Sequence, residues 1–272
     1  MSITTDFHVH TAFSGDSDAP MEEMIQQAIK KGLTHLCFTE HLDYDYVPDP
    51  SDPEVDFSLD TPNYQNTFLQ LKEKYQSKIH LGFGVELGLQ PHLKNAYTDY
   101  LKAFDFDFVI GSTHVVKGID PYYPSYYVDK TEIEVYESYF QEVYENVKAF
   151  SDFDVCGHLD YIVRYGQNKD KFYKAKEYRE LWDAILKIIL DNGKGIEINT
   201  GGIRKGLQDT HPCTWIVNRY KELGGEIITI GSDAHKKEDL AADFTKATQV
   251  LQSCGFSYYT VFSKRKPEFI KL

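Results

Sequence analysis

The stretch Thr5-Asp6-Phe7-His8-Val9-His10 sets the pattern for the whole chain. It is a short apolar run typical of a buried β-strand, and it ends in two histidines. Alternate residues of a strand point to the same side, so His8 and His10 are expected to reach the same point. Such a pair alone is weak evidence for a metal site. Whether a site is predicted depends on the residues at the ends of the other strands.

Short apolar runs of this kind recur and alternate with amphipathic helical patterns. The predicted strands cover residues 5–9, 36–39, 79–85, 106–110, 153–156, 195–198 and 227–230, with an eighth at 258–262. Seven strand-then-helix units without a linker predict an α/β fold, a closed barrel formed by a single domain over residues 1–272. A doubly wound open sheet is the alternative.

Several boundaries between these elements are marked by individual residues. Pro20 suits the first position of a helix, residues 131–134 form a capping box, and Pro212 is predicted to open a helix. One long irregular segment, residues 43–60, is rich in Asp, Pro and Tyr. Loops of that length inside a domain are usually functional or disordered.

Histidines and carboxylates gather at the predicted strand ends. They are His8, His10, Asp16, His41, Glu86, His114, His158, Asp233 and His235. In a parallel barrel all carboxyl ends meet at one mouth, so these side chains should converge there. Taken singly, each histidine is more often a hydrogen-bonded core or surface residue. Together they predict a centre of two or three divalent ions, such as Zn, Mn or Fe.

Four other histidines lie away from this pattern. His35 and His80 stand at strand starts and are predicted to be structural. His211 precedes a helix, where a capping role is as good as any other. His92 follows the third strand, and both a structural and a substrate-facing role stay open.

The charge balance limits the partners of the chain. Lys and Arg total 29 and Asp and Glu total 42, a formal charge of -13. This acidity counts against non-specific binding to nucleic acid or to an anionic membrane. It does not exclude an anionic substrate, because bound metal ions invert the local field. Oligomeric state is not readable from the sequence.

The N-terminus and the cysteines suggest a compartment. No basic, apolar signal peptide is readable at the start, and no apolar cluster is long enough to span a bilayer. The four cysteines form no C-x-x-C pair. We therefore expect a cytoplasmic protein with reduced thiols.

The chain resembles the polymerase and histidinol phosphatase (PHP) family over nearly its whole length. The shared motifs are His8-x-His10, Glu40-His41, Gly84-x-Glu86, Gly111-Ser112-x-His114, Gly157-His158 and Ser232-Asp233-Ala234-His235. The resemblance implies a metal-dependent phosphoesterase on a distorted (β/α)7 TIM-like barrel. Segment 43–60, the run 157–160 with Arg164 beyond it, and the tail 258–267 resemble the stand-alone histidinol-phosphatase branch. That branch acts on L-histidinol phosphate in histidine biosynthesis.

The resemblance also implies a trinuclear cluster. His8, His10, Glu86 and Asp233 would hold one ion, and Glu86 would bridge to a second ion held by His114 and His158. A third ion would take Asp16, His41 and His235. The position of Asp16 is a histidine in some relatives.

A phosphate monoester on such a cluster would be attacked in line by a hydroxide bridging two ions. Arg164 follows the fifth predicted strand and Arg204 follows the sixth, so both are expected at the mouth of the barrel, where they would bind the phosphate. Asp160 and a metal-bound water are both candidates to protonate the leaving group, and Asp160 is equally suited to hold a ligand histidine. Acids of segment 43–60 are predicted to close over the cationic end of the substrate.

Three rival functions stay open. One is a PHP-type phosphoesterase acting on nucleotides or nucleic-acid ends, which the acidic balance disfavours. Another is an amide-cleaving metal hydrolase, although no bridging lysine occurs at these strand ends. The last is a metal-storage or interaction module without enzymatic activity.

Overall fold

The computed structural model describes residues 3–272, and its central feature is a parallel sheet of seven strands. They are β1 (Thr5–Val9), β2 (His35–Leu42), β3 (His80–Gly88), β4 (Phe108–Ser112), β5 (Val155–Cys156), β6 (Gly195–Asn199) and β7 (Ile228–Gly231). Each strand is hydrogen-bonded to the next along the chain. This unbroken order excludes a doubly wound sheet, in which the strand order reverses.

The two ends of the sheet meet and close it into a barrel. Val9 and Ala234 form a parallel bridge, and the amide of His10 donates to the carbonyl of Ala234 over 2.9 Å. Asp6 accepts the amide of Ser232, 226 positions along the chain, over 2.9 Å. The predicted (β/α)7 barrel is confirmed. Its distortion comes from the two-residue β5 and from an irregularity between Asp6 and Val9, where three steps along β1 face two along β2.

Helices connect the successive parallel strands, as such strands require. They are α1 (Met21–Lys30), α2 (Thr61–Tyr75), α3 (Lys94–Ala103), α4 (Glu132–Ala149), α5 (Arg179–Asp191), α6 (Gly201–Arg204), α7 (Thr214–Glu222) and α8 (Phe244–Ser253). The capping box predicted at Thr131 is present. Helix α7 begins two residues beyond Pro212. Within residues 3–272, none of the helices combines the length and the apolarity needed to span a bilayer.

The eighth predicted strand lies outside the barrel sheet. It forms β8 (Tyr258–Ser263), which pairs with β9 (Lys266–Lys271) in an antiparallel hairpin. The ring of Phe262 packs on Phe108 of β4, with the centroids 5.1 Å apart. Phe108 in turn contacts Phe7 of β1 at 5.4 Å, and because β1 and β4 are not neighbours, this contact crosses the barrel interior.

The turn of this hairpin is tied to the start of β5. Arg265 donates to the carboxylate of Asp154, which also accepts the amide of Val109. The hairpin therefore covers the amino-terminal end of the barrel. At the opposite mouth of the barrel, the irregular segment 43–60 lines a cavity with Asp43, Tyr46, Asp52, Val55 and Phe57.

Candidate metal centre

Glu86 lies at the centre of the predicted ligands. Strands β2 and β3 extend beyond their predicted ends, so that His41 and Glu86 are direct neighbours in the sheet. Both carboxylate oxygens of Glu86 face imidazole nitrogens. Oε2 lies 3.0 Å from His8 Nε2, 3.1 Å from His41 Nδ1 and 3.4 Å from His10 Nε2, and Oε1 lies 2.9 Å from His158 Nε2 and 3.3 Å from His114 Nε2.

Asp233 supplies a second carboxylate at the closing edge of the barrel. Its Oδ1 lies 3.7 Å from His8 Nε2 and 3.6 Å from His10 Nε2. Its backbone has a positive φ of 55°, an uncommon conformation for a residue with a side chain. Arg204 donates to the carbonyl of Asp233 over 2.8 Å at this turn.

Asp16 approaches the centre from the loop after β1. Its carboxylate lies 3.0 Å from His235 Nε2 and 3.8 Å from His41 Nε2. Burial acts to raise the pKa of Asp16, but His41 and His235 outweigh it and lower that pKa to about 2. The ring of His10 stacks between those of His41 and His235, at 4.1 and 4.3 Å. The nine predicted ligands therefore form one cluster.

The donor set fits divalent cations. Four overlapping triads have ligand atoms within 4.8 Å of one another: His10, His41 and His235; His8, His10 and Asp233; His8, Glu86 and His158; and His41, Glu86 and His114. Although they lie 3.4 and 3.1 Å from Glu86 Oε2, the buried His10 Nε2 and His41 Nδ1 make no hydrogen bond of acceptable geometry. Buried polar atoms are normally paired, so these nitrogens favour a bound cation.

Electrostatics favour positive charge at the same place. Burial acts to raise the pKa of Glu86, but His8, His114 and His41 hold that pKa well below its usual range. Burial acts to lower the pKa of His8, but Glu197 and Glu86 raise it well above its usual value. Carboxylates thus surround His8, and either a proton or a metal ion at this place would balance their negative charge.

Three partners that orient the histidines were not predicted from the sequence. Glu197 Oε1 lies 2.6 Å from His8 Nδ1, and Asp43 Oδ2 lies 2.7 Å from His114 Nδ1. Ser14 Oγ lies 3.1 Å from His10 Nδ1. Each contact turns Nε2 of its histidine toward the centre, a common arrangement behind metal ligands. Asp43 belongs to segment 43–60, whose acids are predicted to face the substrate, but it instead forms a hydrogen bond with the predicted ligand His114.

The cavity above the cluster has a volume of 390 Å³ and also contains the two predicted arginines. Arg164 donates to Asp233 Oδ2 over 3.1 Å, and its guanidinium lies over the ring of Tyr161 at 4.1 Å. Arg204 donates through Nη2 to the carbonyls of Ser232 and Asp233. Arg164 Nε and Arg204 Nη1 are buried without a partner.

Asp160 lies behind the cavity wall. Its two oxygens accept from His211 Nδ1 at 2.6 Å and from the amide of Cys213 at 2.9 Å. The capping role considered for His211 is therefore wrong, because its ring is buried against Asp160. His35 and His80 stack at the strand starts with centroids 4.7 Å apart, and exposed His92 pairs with Asp45 at 3.0 Å.

The chain is similar in sequence to known proteins. The PHP domain model matches residues 6–201. A histidinol-phosphatase of Lactococcus lactis is 32% identical, covering 96% of this chain and 95% of that protein. A probable histidinol-phosphatase of Clostridium acetobutylicum is 34% identical, covering 92% and 93%.

A solved structure has the same fold as this chain. The crystal structure of histidinol phosphate phosphatase from Lactococcus lactis, complexed with zinc, L-histidinol and phosphate, matches with a TM-score of 0.87 at 32% identity. The match covers 97% of this chain and 98% of that one. Motifs, barrel, clustered ligands and relatives agree, and the chain belongs to the PHP domain family.

Proposed function

We propose that this protein is a metal-dependent phosphomonoesterase that hydrolyses L-histidinol phosphate to L-histidinol and inorganic phosphate. The observation that carries the proposal is a single cavity lined by Arg164, Arg204 and six of the nine predicted metal ligands: Asp16, His41, His114, His158, Asp233 and His235. The relatives named histidinol-phosphatases, and the zinc, L-histidinol and phosphate in the Lactococcus structure, support this substrate.

We infer that the nine clustered side chains hold two or three divalent ions, Zn, Mn or Fe. His8, His10, Glu86 and Asp233 are assigned to one ion. Glu86, His114 and His158 are assigned to a second, and Asp16, His41 and His235 to a third. When bound, such ions acidify water and accept charge from phosphoryl oxygens.

Arg164 and Arg204 are assigned to the phosphate group. Each guanidinium is already oriented by a hydrogen bond to Asp233, and each keeps one buried nitrogen without a partner. A phosphate oxygen would satisfy those nitrogens, and guanidinium matches phosphate geometry well.

Another part of the cavity suits the cationic end of histidinol. Tyr46 donates to Asp120 over 2.8 Å, and Tyr123 donates to Asp52 over 3.2 Å. These carboxylates complement an ammonium group and an imidazole. Replacing residues 46–56 by a short Gly-Ser linker should therefore raise KM for histidinol phosphate, and an unchanged KM would count against a closing role for the segment.

We assign the proton of the leaving alkoxide to water in the cavity. Both oxygens of Asp160 are engaged away from the cavity, so this residue is a poor donor. Of the two candidates that the sequence left open, Asp160 and a metal-bound water, this geometry favours the water.

The substrate assignment is tested by assaying metal-loaded protein on three classes of phosphate ester. These are histidinol phosphate, nucleoside monophosphates and a single-stranded oligonucleotide. We expect the highest kcat/KM on histidinol phosphate. A higher kcat/KM on either nucleotide substrate would overturn the substrate assignment, but the protein would still be a phosphoesterase.

A further inference from the structure

A buried carboxylate–imidazole pair lies behind the two arginines. Asp160 and His211 are 1% and 0% exposed, and they are joined by the 2.6 Å contact described above. We propose that they are positioning residues, which set the spacing between Arg164 and Arg204 and through it the affinity for phosphate. This inference rests on the proposed function, and it concerns two residues that have no direct role in the proposed reaction.

The pair is connected to Arg164 through Asp160. Asp160 directly precedes the short turn Tyr161–Arg164, and its carbonyl accepts the amide of Val163 over 3.0 Å. With both carboxylate oxygens engaged, Asp160 cannot shift without breaking buried hydrogen bonds. The turn that sets the guanidinium of Arg164 over Tyr161 therefore begins at a fixed point.

The pair is connected to Arg204 through His211. A Cβ atom added at Gly202 would lie 2.7 Å from His211 Nε2, so helix α6 rests directly on the imidazole ring. Arg204 follows two residues later in the same helix. The backbone of His211 also exchanges hydrogen bonds of 2.9 and 2.7 Å with Asn199, the last residue of β6.

The two arginines come from different segments, the turn Tyr161–Arg164 after β5 and helix α6 after β6, and they meet at Asp233. Both segments rest on the Asp160–His211 pair. A phosphate bound by both guanidinium groups needs a fixed distance between them, and a misplacement of about 1 Å can cost about 100-fold in rate. Removing the pair should therefore weaken phosphate binding although neither residue lines the cavity.

The test compares four variants in metal-loaded protein. His211→Leu removes both the donor and the ring, and His211→Asn retains a donor near the position of Nδ1. Asp160→Asn keeps the size of the side chain and loses one of its two acceptors. Asp209→Ala is the matched control, because Asp209 lies in the same segment and accepts from the amide and hydroxyl of Thr214, both at 2.8 Å.

Five quantities are measured for each variant: metal content, thermal unfolding temperature, the dissociation constant of inorganic phosphate by calorimetry, and kcat and KM on histidinol phosphate. His211→Leu and Asp160→Asn should raise the phosphate dissociation constant and KM about tenfold or more, with metal content unchanged. His211→Asn should recover part of the phosphate affinity. Asp209→Ala should lower the unfolding temperature and leave phosphate affinity unchanged.

Wild-type phosphate affinity in His211→Leu and Asp160→Asn would overturn the proposal, whatever their thermal stability. Loss of metal together with phosphate affinity would also overturn it, because the pair would then act through the ions. If His211→Leu does not fold, Asp160→Asn decides. If the wild-type protein binds phosphate but does not hydrolyse histidinol phosphate, the proposed substrate fails and the calorimetric comparison still tests the pair.

Discussion

Replacing Glu197 should perturb the metal centre without removing any of its nine predicted ligands. This carboxylate is 1% exposed, and its Oε1 lies 2.6 Å from His8 Nδ1. Its Oε2 accepts the amide of His158 over 3.1 Å and the side chain of Asn199 over 3.2 Å. The substitution Glu197→Gln keeps the size of the side chain and replaces one oxygen by an NH2 group.

Either orientation of the new amide loses something. If its oxygen faces His8, the NH2 group faces the two buried donors of His158 and Asn199, and each unpaired donor costs about 1–3 kcal/mol. If the NH2 group faces His8, Nδ1 must accept, and the proton moves to Nε2. That nitrogen lies 3.0 Å from Glu86, and in its protonated form it cannot bind a metal ion.

We expect metal affinity in Glu197→Gln to fall about 10- to 100-fold, the usual effect of removing a carboxylate behind a ligand histidine. This corresponds to about 1.4–2.7 kcal/mol. Competition with a chromophoric chelator measures the affinity, and the exposed Glu226→Gln is the matched control. Wild-type metal affinity in Glu197→Gln would refute the reasoning that Glu197 orients His8.

Three further predictions concern other carboxylates and one arginine. Glu86→Gln should lose bound metal and most activity, because an amide nitrogen replaces one central oxygen. Elemental analysis measures the metal content; wild-type metal content together with a wild-type rate of hydrolysis would contradict the proposed site. Arg204→Ala should raise KM or lower kcat on histidinol phosphate with metal content unchanged, and wild-type kinetics would remove its assignment to phosphate. Burial raises the pKa of Glu40 from 4.5 to about 7, although Ser14 and Thr11 donate to it. The folded state therefore binds this proton more tightly than the unfolded chain, and the stability it contributes is lost as pH rises from 4.5 to about 7. In metal-free protein, the stability of Glu40→Gln relative to wild type should rise by about 3 kcal/mol between pH 4.5 and 8 in urea unfolding, and a pH-independent difference would argue against this shift.

The barrel and the nine-residue cluster were predictable because each rests on local signals. Apolar runs mark the strands, and in a parallel barrel the carboxyl ends of all strands share one mouth. Residues such as His114 and His158 could therefore be assigned to a common site without knowing any pairwise contact.

The residues behind the ligands were harder to predict, because sequence patterns give the face of a strand and not the partner across the barrel. Glu197 left one signal, a lone carboxylate within the apolar run 195–198, but its partner His8 lies 189 positions away. His211 precedes a helix in sequence, which suggested a cap, while Asp160 pairs with it from 51 positions away. Only the closed barrel brings such partners together.

The bridge between Val9 and Ala234 also bears on how the metal centre forms. Asp6 and Ser232 are 226 positions apart, so closure depends on contacts of very high sequence separation, which form slowly. A nascent chain exposes His8 and His10 long before it supplies Asp233. With Asp233 as a ligand, as proposed, metal occupancy would report completion of folding, and ions that bind only the closed barrel would stabilise it by mass action.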